Sequence, residues 1–265
     1  MNTLSLGFLA IGLYALGTSY QLLTYLRKKH QTTVLPLLLG ACALIVHLDI
    51  SYSSAVNGNH VNFGLMNSLS LVSCMSVALV IPLSTRLPTQ ALLLISYPLA
   101  IASIIGMFFY NQESISYPIK NKGIFLHISF SILAYSLLML AAFQAFLVVM
   151  QNRQLKSRKQ NRLMRNFPPL LTMERVLIEL IWGGTILLAG AILLGFVFVD
   201  DIFAQHLAHK TFFSIAALLI FTTLLAGRQI YGWRGSLAGG LTLWGATLLM
   251  LGFLGSKFVI EFFLN

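Results

Sequence analysis

Eight apolar stretches, at about 3–26, 33–52, 63–83, 90–110, 124–150, 177–199, 212–227 and 236–262, take up most of the sequence. A helix needs roughly 20 apolar residues to cross the ~30 Å hydrocarbon core of a bilayer. In lipid the backbone N–H and C=O groups must be paired within the segment, so each stretch reads as a helix. The seventh is short by itself and reaches the needed length by taking in residues 203–211 and 226–227. The expected fold class is therefore all-α, a polytopic integral membrane helical bundle of about eight transmembrane helices, read as a single domain over residues 1–265. Composition points the same way: 57% hydrophobic and 9% charged residues, with a mean hydropathy of +0.83, do not suit a soluble domain.

The charge distribution sets an orientation. Arg27, Lys28 and Lys29 follow the first stretch, and Arg86 follows the third. Arg153, Lys156, Arg158, Lys159, Arg162, Arg165 and Arg175 lie between the fifth and sixth, and Arg228 and Arg234 between the seventh and eighth. Thirteen of the seventeen cations thus fall on one side, leaving Lys120, Lys122, Lys210 and Lys257 on the other. The cation-rich side is expected in the cytoplasm, with both termini outward. A net charge of +10 would suggest nucleic acid in a soluble protein, but here it sits in short loops and no basic domain stands outside them. No cationic segment precedes the first stretch, so it is expected to be retained rather than cleaved. Cys42 and Cys74 lie within spans and form no C-x-x-C or C-x-x-C-H pattern, which argues against a thiol relay and against covalent c-type haem.

In this topology five of the six histidines fall in the outer half or the outer loops. His47 stands about five residues, roughly 7 Å, before the outer end of its helix. His127 lies at a similar depth at the start of the fifth span, and His209 stands at the start of the seventh. His206 is one turn earlier, His60 is in an outer loop, and only His30 is cytoplasmic. Two readings are open for the three that share a level. A histidine near a helix end bonds an unpaired carbonyl, or two imidazoles on different helices serve as axial ligands to haem iron. His127 and His209 suit the second reading, with His47 as a third candidate.

The other polar residues read as follows. Leu170, Leu171 and Met173, after Pro168 and Pro169, are expected to lie along the membrane surface, and Tyr231, Trp233 and Arg234 to anchor an interface. Lys257 and Glu261 are spaced to pair on one helix, and Asp49, Asp200 and Asp201 face outward. The charged connection between the fifth and sixth spans reads as a topology determinant or as a site for anionic lipid or a partner. No phosphate-binding glycine loop, Ser-His-Asp set or H-E-x-x-H is present, so no enzymatic activity is expected. No span is broken at mid-depth by paired Gly or Pro, which disfavours a transporter.

Three spaced motifs, HKTxFS from His209, GRxxxGWRG from Gly227 and GSKFVxE from Gly255, are joined by LHxxxxxxAY at 126–135 and PPLLTME at 168–174. With these the sequence resembles the cytochrome c assembly membrane family, in its small YpjD-like branch, related to CcsA, CcmC and HemX-type proteins. The resemblance implies a bacterial inner-membrane protein that handles non-covalent haem b, held or in transit. It implies His127 as one of two histidines flanking the haem, by its LHxxxxxxAY context. His209 lies close to the second, so both would ligate the metal, with His47 a second-site ligand or proton-linked neighbour. Haem-delivering relatives carry a tryptophan-rich WWD loop; here the tryptophans are Trp182, Trp233 and Trp244, all towards the cytoplasmic half. Haem is therefore expected to be bound or relayed without thioether attachment. A second reading, through HemX-like relatives, is a non-haem regulatory or structural subunit acting on a cytoplasmic partner of tetrapyrrole synthesis. The expected partners are haem, the bilayer and a membrane or cytoplasmic protein, with no nucleic acid.

Phosphatase and fluorescent-protein fusions placed after Ser157 and after Asn265 are expected to report opposite sides of the membrane. Equal reporter activity at the two points would contradict the charge-based topology.

Overall fold

The structure, a computed structural model, describes residues 3–27, 34–57, 60–109, 116–118, 122–157, 166–198 and 205–255. Its helices are α1 (Thr3–Arg27), α2 (Val34–Ala55), α3 (Leu65–Arg86), α4 (Gln90–Phe109), α5 (Lys122–Lys156), α6 (Leu170–Phe198), α7 (Gln205–Tyr231) and α8 (Gly235–Met250), the last continued by a π-helical turn, Leu251–Gly255. Among the described residues, eight helices are long and apolar enough to cross a membrane, as the hydropathy pattern predicts. Residues 28–30, 199–204 and 256–265, which hold His30, Asp200, Asp201, Lys257 and Glu261, lie outside the described residues.

Burial follows lipid rather than water. Phe8, Ile45, Phe109, Val197 and Trp244 are among the large exposed apolar side chains, while His47, Ser70, Ser136 and Thr242 are fully buried. A soluble domain would reverse this assignment. This is a membrane protein whose apolar exterior meets hydrocarbon and whose small and polar residues face inward.

Three features differ from the sequence expectation. α5 runs 35 residues, about 52 Å at 1.5 Å per residue, well beyond the stretch read at 124–150. Leu170, Leu171 and Met173 are the first turns of α6 rather than a separate surface segment, because prolines 168 and 169 sit where a helix start tolerates missing donors. Finally, short strands β1 (Val56–Asn57), β2 (His60–Asn62) and β3 (Ser116–Pro118) form an antiparallel ribbon in that order, in segments the hydropathy pattern leaves as loops.

The chain divides into two compact units. The first holds residues 1–118 and 154–172, hence α1 to α4 and the ribbon. At its core the His47 ring on α2 bonds Ser70 Oγ on α3 through Nε2 (2.9 Å) and faces Tyr14 Oη on α1 through Nδ1 (3.4 Å), while Ser51 Oγ meets Ser70 Oγ at 2.8 Å. On α4, Tyr97 donates its hydroxyl to the Pro36 carbonyl of α2 at 2.9 Å. Gly40, one turn after Pro36, makes room for that hydroxyl: a methyl group there would overlap it.

The second unit, residues 119–153 and 173–265, holds most of α5 and α6 and all of α7 and α8. α6 presents glycines to α5, with Gly184 against Leu138 and Gly190 against Phe130. Gly245 on α8 receives Phe221 of α7, and Gly239 packs against Val149 of α5. Small residues at such crossings let helices approach where hydrocarbon supplies no hydrophobic drive.

Gly40→Ala is expected to destabilise the detergent-solubilised protein by about 1–3 kcal/mol, since it overpacks a full interface and displaces a buried hydrogen bond. Gly12→Ala on α1, where a Cβ meets nothing within 4 Å, is the control and should leave the melting temperature unchanged. Equal melting temperatures for both variants would refute the close approach at Gly40.

Candidate functional site at the histidine end of the second unit

α5 begins, α6 ends and α7 begins at one end of the second unit, and His127 and His209 both lie at that end. His127 lies on the second turn of α5, half-buried, with Nδ1 2.7 Å from the Ala191 carbonyl of α6. A carbonyl oxygen only accepts, so Nδ1 carries the proton and donates it. In the neutral ring Nε2 then holds a lone pair. Among the described residues Nε2 has no hydrogen-bond partner.

The ring reaches the α6 backbone because position 195 is glycine. A Cβ there would stand 3.0 Å from Cε1 and 3.2 Å from Nδ1 of His127, and the ring would have to move off Ala191. Gly195 is thus a site residue that the sequence reading missed. Its only signal there was a glycine one turn after a small residue near the end of an apolar span.

His209 lies in the second turn of α7 and its side chain is exposed. Next to it, the Lys210 carbonyl and the Phe213 Cβ face Gly252 in the π-helical turn. The turn also carries Phe253, whose ring centroid lies 5.2 Å from that of Tyr135 on α5. Aromatic and glycine contacts of one π-turn therefore touch both histidine-bearing helices. π-helical turns are rare and recur at functional positions. No hydrogen bond joins His127 to His209 among the described residues.

Of the other described histidines, two belong to the first unit and one stands at the start of α7. His47 belongs to the first unit, fully buried with both ring nitrogens engaged as described above. His60 is exposed on β2, and His206 falls in the first turn of α7. No cluster of three or more His, Cys, Asp or Glu side chains placed to hold a bare metal ion occurs among the described residues.

The opposite end of the second unit is organised by a charge that sequence reading passed over. Glu174, nearly buried in the first turns of α6, lies 3.3 Å from Arg234 Nε and 4.0 Å from an Arg228 nitrogen. Arg228 also donates to the Trp233 carbonyl at 3.1 Å, and the Trp233 ring covers Gly227. Gly232 and Gly235 have φ of +66° and +61°, the left-handed region that glycine adopts without strain. The GWRG segment is thus a fixed turn held by a buried carboxylate, in addition to being aromatic and surface-exposed at Tyr231. Removing one partner of such a group leaves a charge uncompensated.

The sequence profile described as Cytochrome C assembly protein matches residues 35–264. The inner membrane protein YpjD of Escherichia coli strain K12 is 29% identical over 198 residues, which is 75% of this chain and 75% of that protein. YpjD of Escherichia coli O157:H7 gives the same figures, 29% over 198 residues and 75% of each chain. A protein of Azospirillum brasilense, described as an uncharacterized 28.8 kDa protein in the nifR3-like 5' region, is 31% identical over 142 residues, 53% of this chain and 52% of its own. No solved structure matches. The profile runs from the start of α2 past the π-helical turn and takes in His127, Glu174, Gly195, His209 and the GWRG turn, and the chain belongs to the cytochrome C assembly protein family.

Proposed function

We propose that this protein is a multi-pass component of the bacterial inner membrane that binds haem b non-covalently at the histidine end of its second unit, serving cytochrome c assembly or haem handling. His127 and His209 would be the iron ligands. Family membership and the name of the YpjD relatives as inner membrane proteins support the setting. The cation bias supports an orientation with both termini and the histidine end outward.

The single observation that carries the reading is the His127 ring. Haem supplies an iron centre with two axial positions that imidazole nitrogens can fill. A ligating histidine almost always donates its other ring N–H to a carbonyl or carboxylate, which fixes the tautomer and raises the basicity of the ligating nitrogen. The bond from Nδ1 to Ala191 at 2.7 Å is of that kind and directs the lone pair to Nε2. Gly195 holds the ring in register, and Phe213 and Phe253 give the neighbouring surface an apolar, aromatic character. His209 contributes from a second helix, and its exposed side chain is free to turn towards a ligand. His47, with both nitrogens bonded inside the first unit, fits a structural role better than that of a ligand. In this reading the protein holds or passes haem and catalyses no thioether formation, since the sequence carries no WWD loop.

A second reading is favoured by one observation. α5 is about 52 Å long, more than the ~30 Å hydrocarbon core, so with outward histidines its Lys156 end reaches beyond the bilayer on the cytoplasmic side. A HemX-like regulatory or structural subunit would present such a helix end to a cytoplasmic partner.

Haem titration of the purified protein separates the readings. His127→Ala and His209→Ala are each expected to weaken haem retention at least about tenfold, the lower bound for disturbing a ligand's support. Added imidazole should restore part of it by filling the vacated position. Gly195→Val, which pushes the ring off Ala191, is expected to weaken retention as well, while His60→Ala should not. Equal retention in all four variants would refute the ligand assignment.

A further inference from the structure

Two buried hydroxyls in the second unit lack hydrogen-bond partners among the described residues, those of Tyr135 and Thr185. Both residues are more than nine-tenths buried, at 8% and 6% exposure. Buried polar atoms of this kind are few among the described residues, the others being Ser96 Oγ and Gln151 Oε1. Two other buried tyrosines, Tyr14 and Tyr97, place their hydroxyls on His47 and on the Pro36 carbonyl. Ser136, Thr222 and Thr242, in the helices of the same unit, return theirs to the carbonyl four residues back, the usual arrangement in a helix. Thr185 does not.

The two hydroxyl-bearing residues also share a level. Phe130 lies against Gly190 and Leu138 against Gly184, and this antiparallel register sets Tyr135 on α5 nearly opposite Thr185 on α6. Tyr135 follows His127 by eight residues, about 12 Å along the helix. Side chains of long residues lean towards the helix N-terminus, so the phenol is directed back towards the His127 end. Its ring is held on the other side by Phe253 of the π-helical turn.

We propose that the Tyr135 and Thr185 hydroxyls form a polar subsite that donates hydrogen bonds to a carboxyl arm of the tetrapyrrole held at His127. The proposal rests on the haem reading above. It assigns Tyr135 and Thr185 to binding: His127 fixes the metal, and the hydroxyl pair fixes the rotation of the macrocycle by recognising its carboxyl-bearing edge. A tetrapyrrole without carboxyl arms gains nothing from the pair.

The test is a binding cycle on the full-length protein in detergent, read from the Soret band, with haem b and with iron octaethylporphyrin, which has no carboxyl groups. Tyr135→Phe keeps the ring on Phe253, and Thr185→Val keeps the shape of the side chain. Each is expected to weaken haem b about five- to tenfold, the value of one hydrogen bond, and to leave iron octaethylporphyrin within about twofold. Equal weakening of both porphyrins would assign the hydroxyls a structural role and overturn the proposal. No change for either porphyrin would also overturn it, since the hydroxyls would then contribute nothing to binding. If the unaltered protein binds neither porphyrin, the haem reading fails and this proposal with it; if it binds haem b and only the variants behave as wild type, the haem reading stands alone.

Discussion

A polar side chain inside a membrane helix bundle has no water to bond, and the backbone carbonyls around it are already used by the helices that own them. A carbonyl nevertheless has a second lone pair, and a polar ring can reach it where the residue one turn on lacks a side chain. This protein uses that arrangement twice. In the first unit Tyr97 bonds the Pro36 carbonyl beside Gly40, and in the second His127 bonds the Ala191 carbonyl beside Gly195. In both, a glycine lets a neighbouring helix come close enough for one directional bond to set the helix pair's register. The histidine case does more, because a ring held by Nδ1 offers Nε2 in a fixed direction.

The same need for partners shapes the far end of the second unit. Glu174 is costly to bury alone, and Arg228 and Arg234 come to it from the end of α7 and the start of α8. The start of α6 is thereby tied to the α7–α8 turn more than fifty residues later in the sequence, while the π-helical turn, through Phe253 and Gly252, touches α5 and α7 at the other end. Histidine geometry on α5 and α7 thus depends on packing at both ends of the helices that carry it.

Much of this was legible in the residues. The eight spans follow from apolar runs alone, because a lipid-embedded backbone admits few alternatives. His127 was singled out by depth and by its LHxxxxxxAY context. What sequence could not supply were the partners. Whether an imidazole near a helix end bonds a carbonyl or is left for a ligand looked like two alternatives, but the carbonyl bond of His127 uses only Nδ1, so the two do not exclude each other. Gly195 reads as one glycine among twenty, since its role exists only against a side chain 68 positions away. Glu174 stood inside PPLLTME with no indication that its counter-charges lay in GRxxxGWRG. The ribbon of β1, β2 and β3 escaped because strands of two or three residues leave no period to detect. The π-helical turn escaped because its Leu-Gly-Phe-Leu-Gly sequence continues an apolar run without a break.

The central claim is that the second unit carries a haem site with imidazole ligation. The visible spectrum of the unaltered protein, purified in detergent with and without added haem and paired with a pyridine haemochrome assay, tests it most directly. The account expects a Soret band and the sharp ferrous bands of low-spin, bis-imidazole haem b, with the pigment fully extractable because no thioether is formed. A protein that is colourless as purified and takes up no haem on titration, while remaining folded, would contradict it.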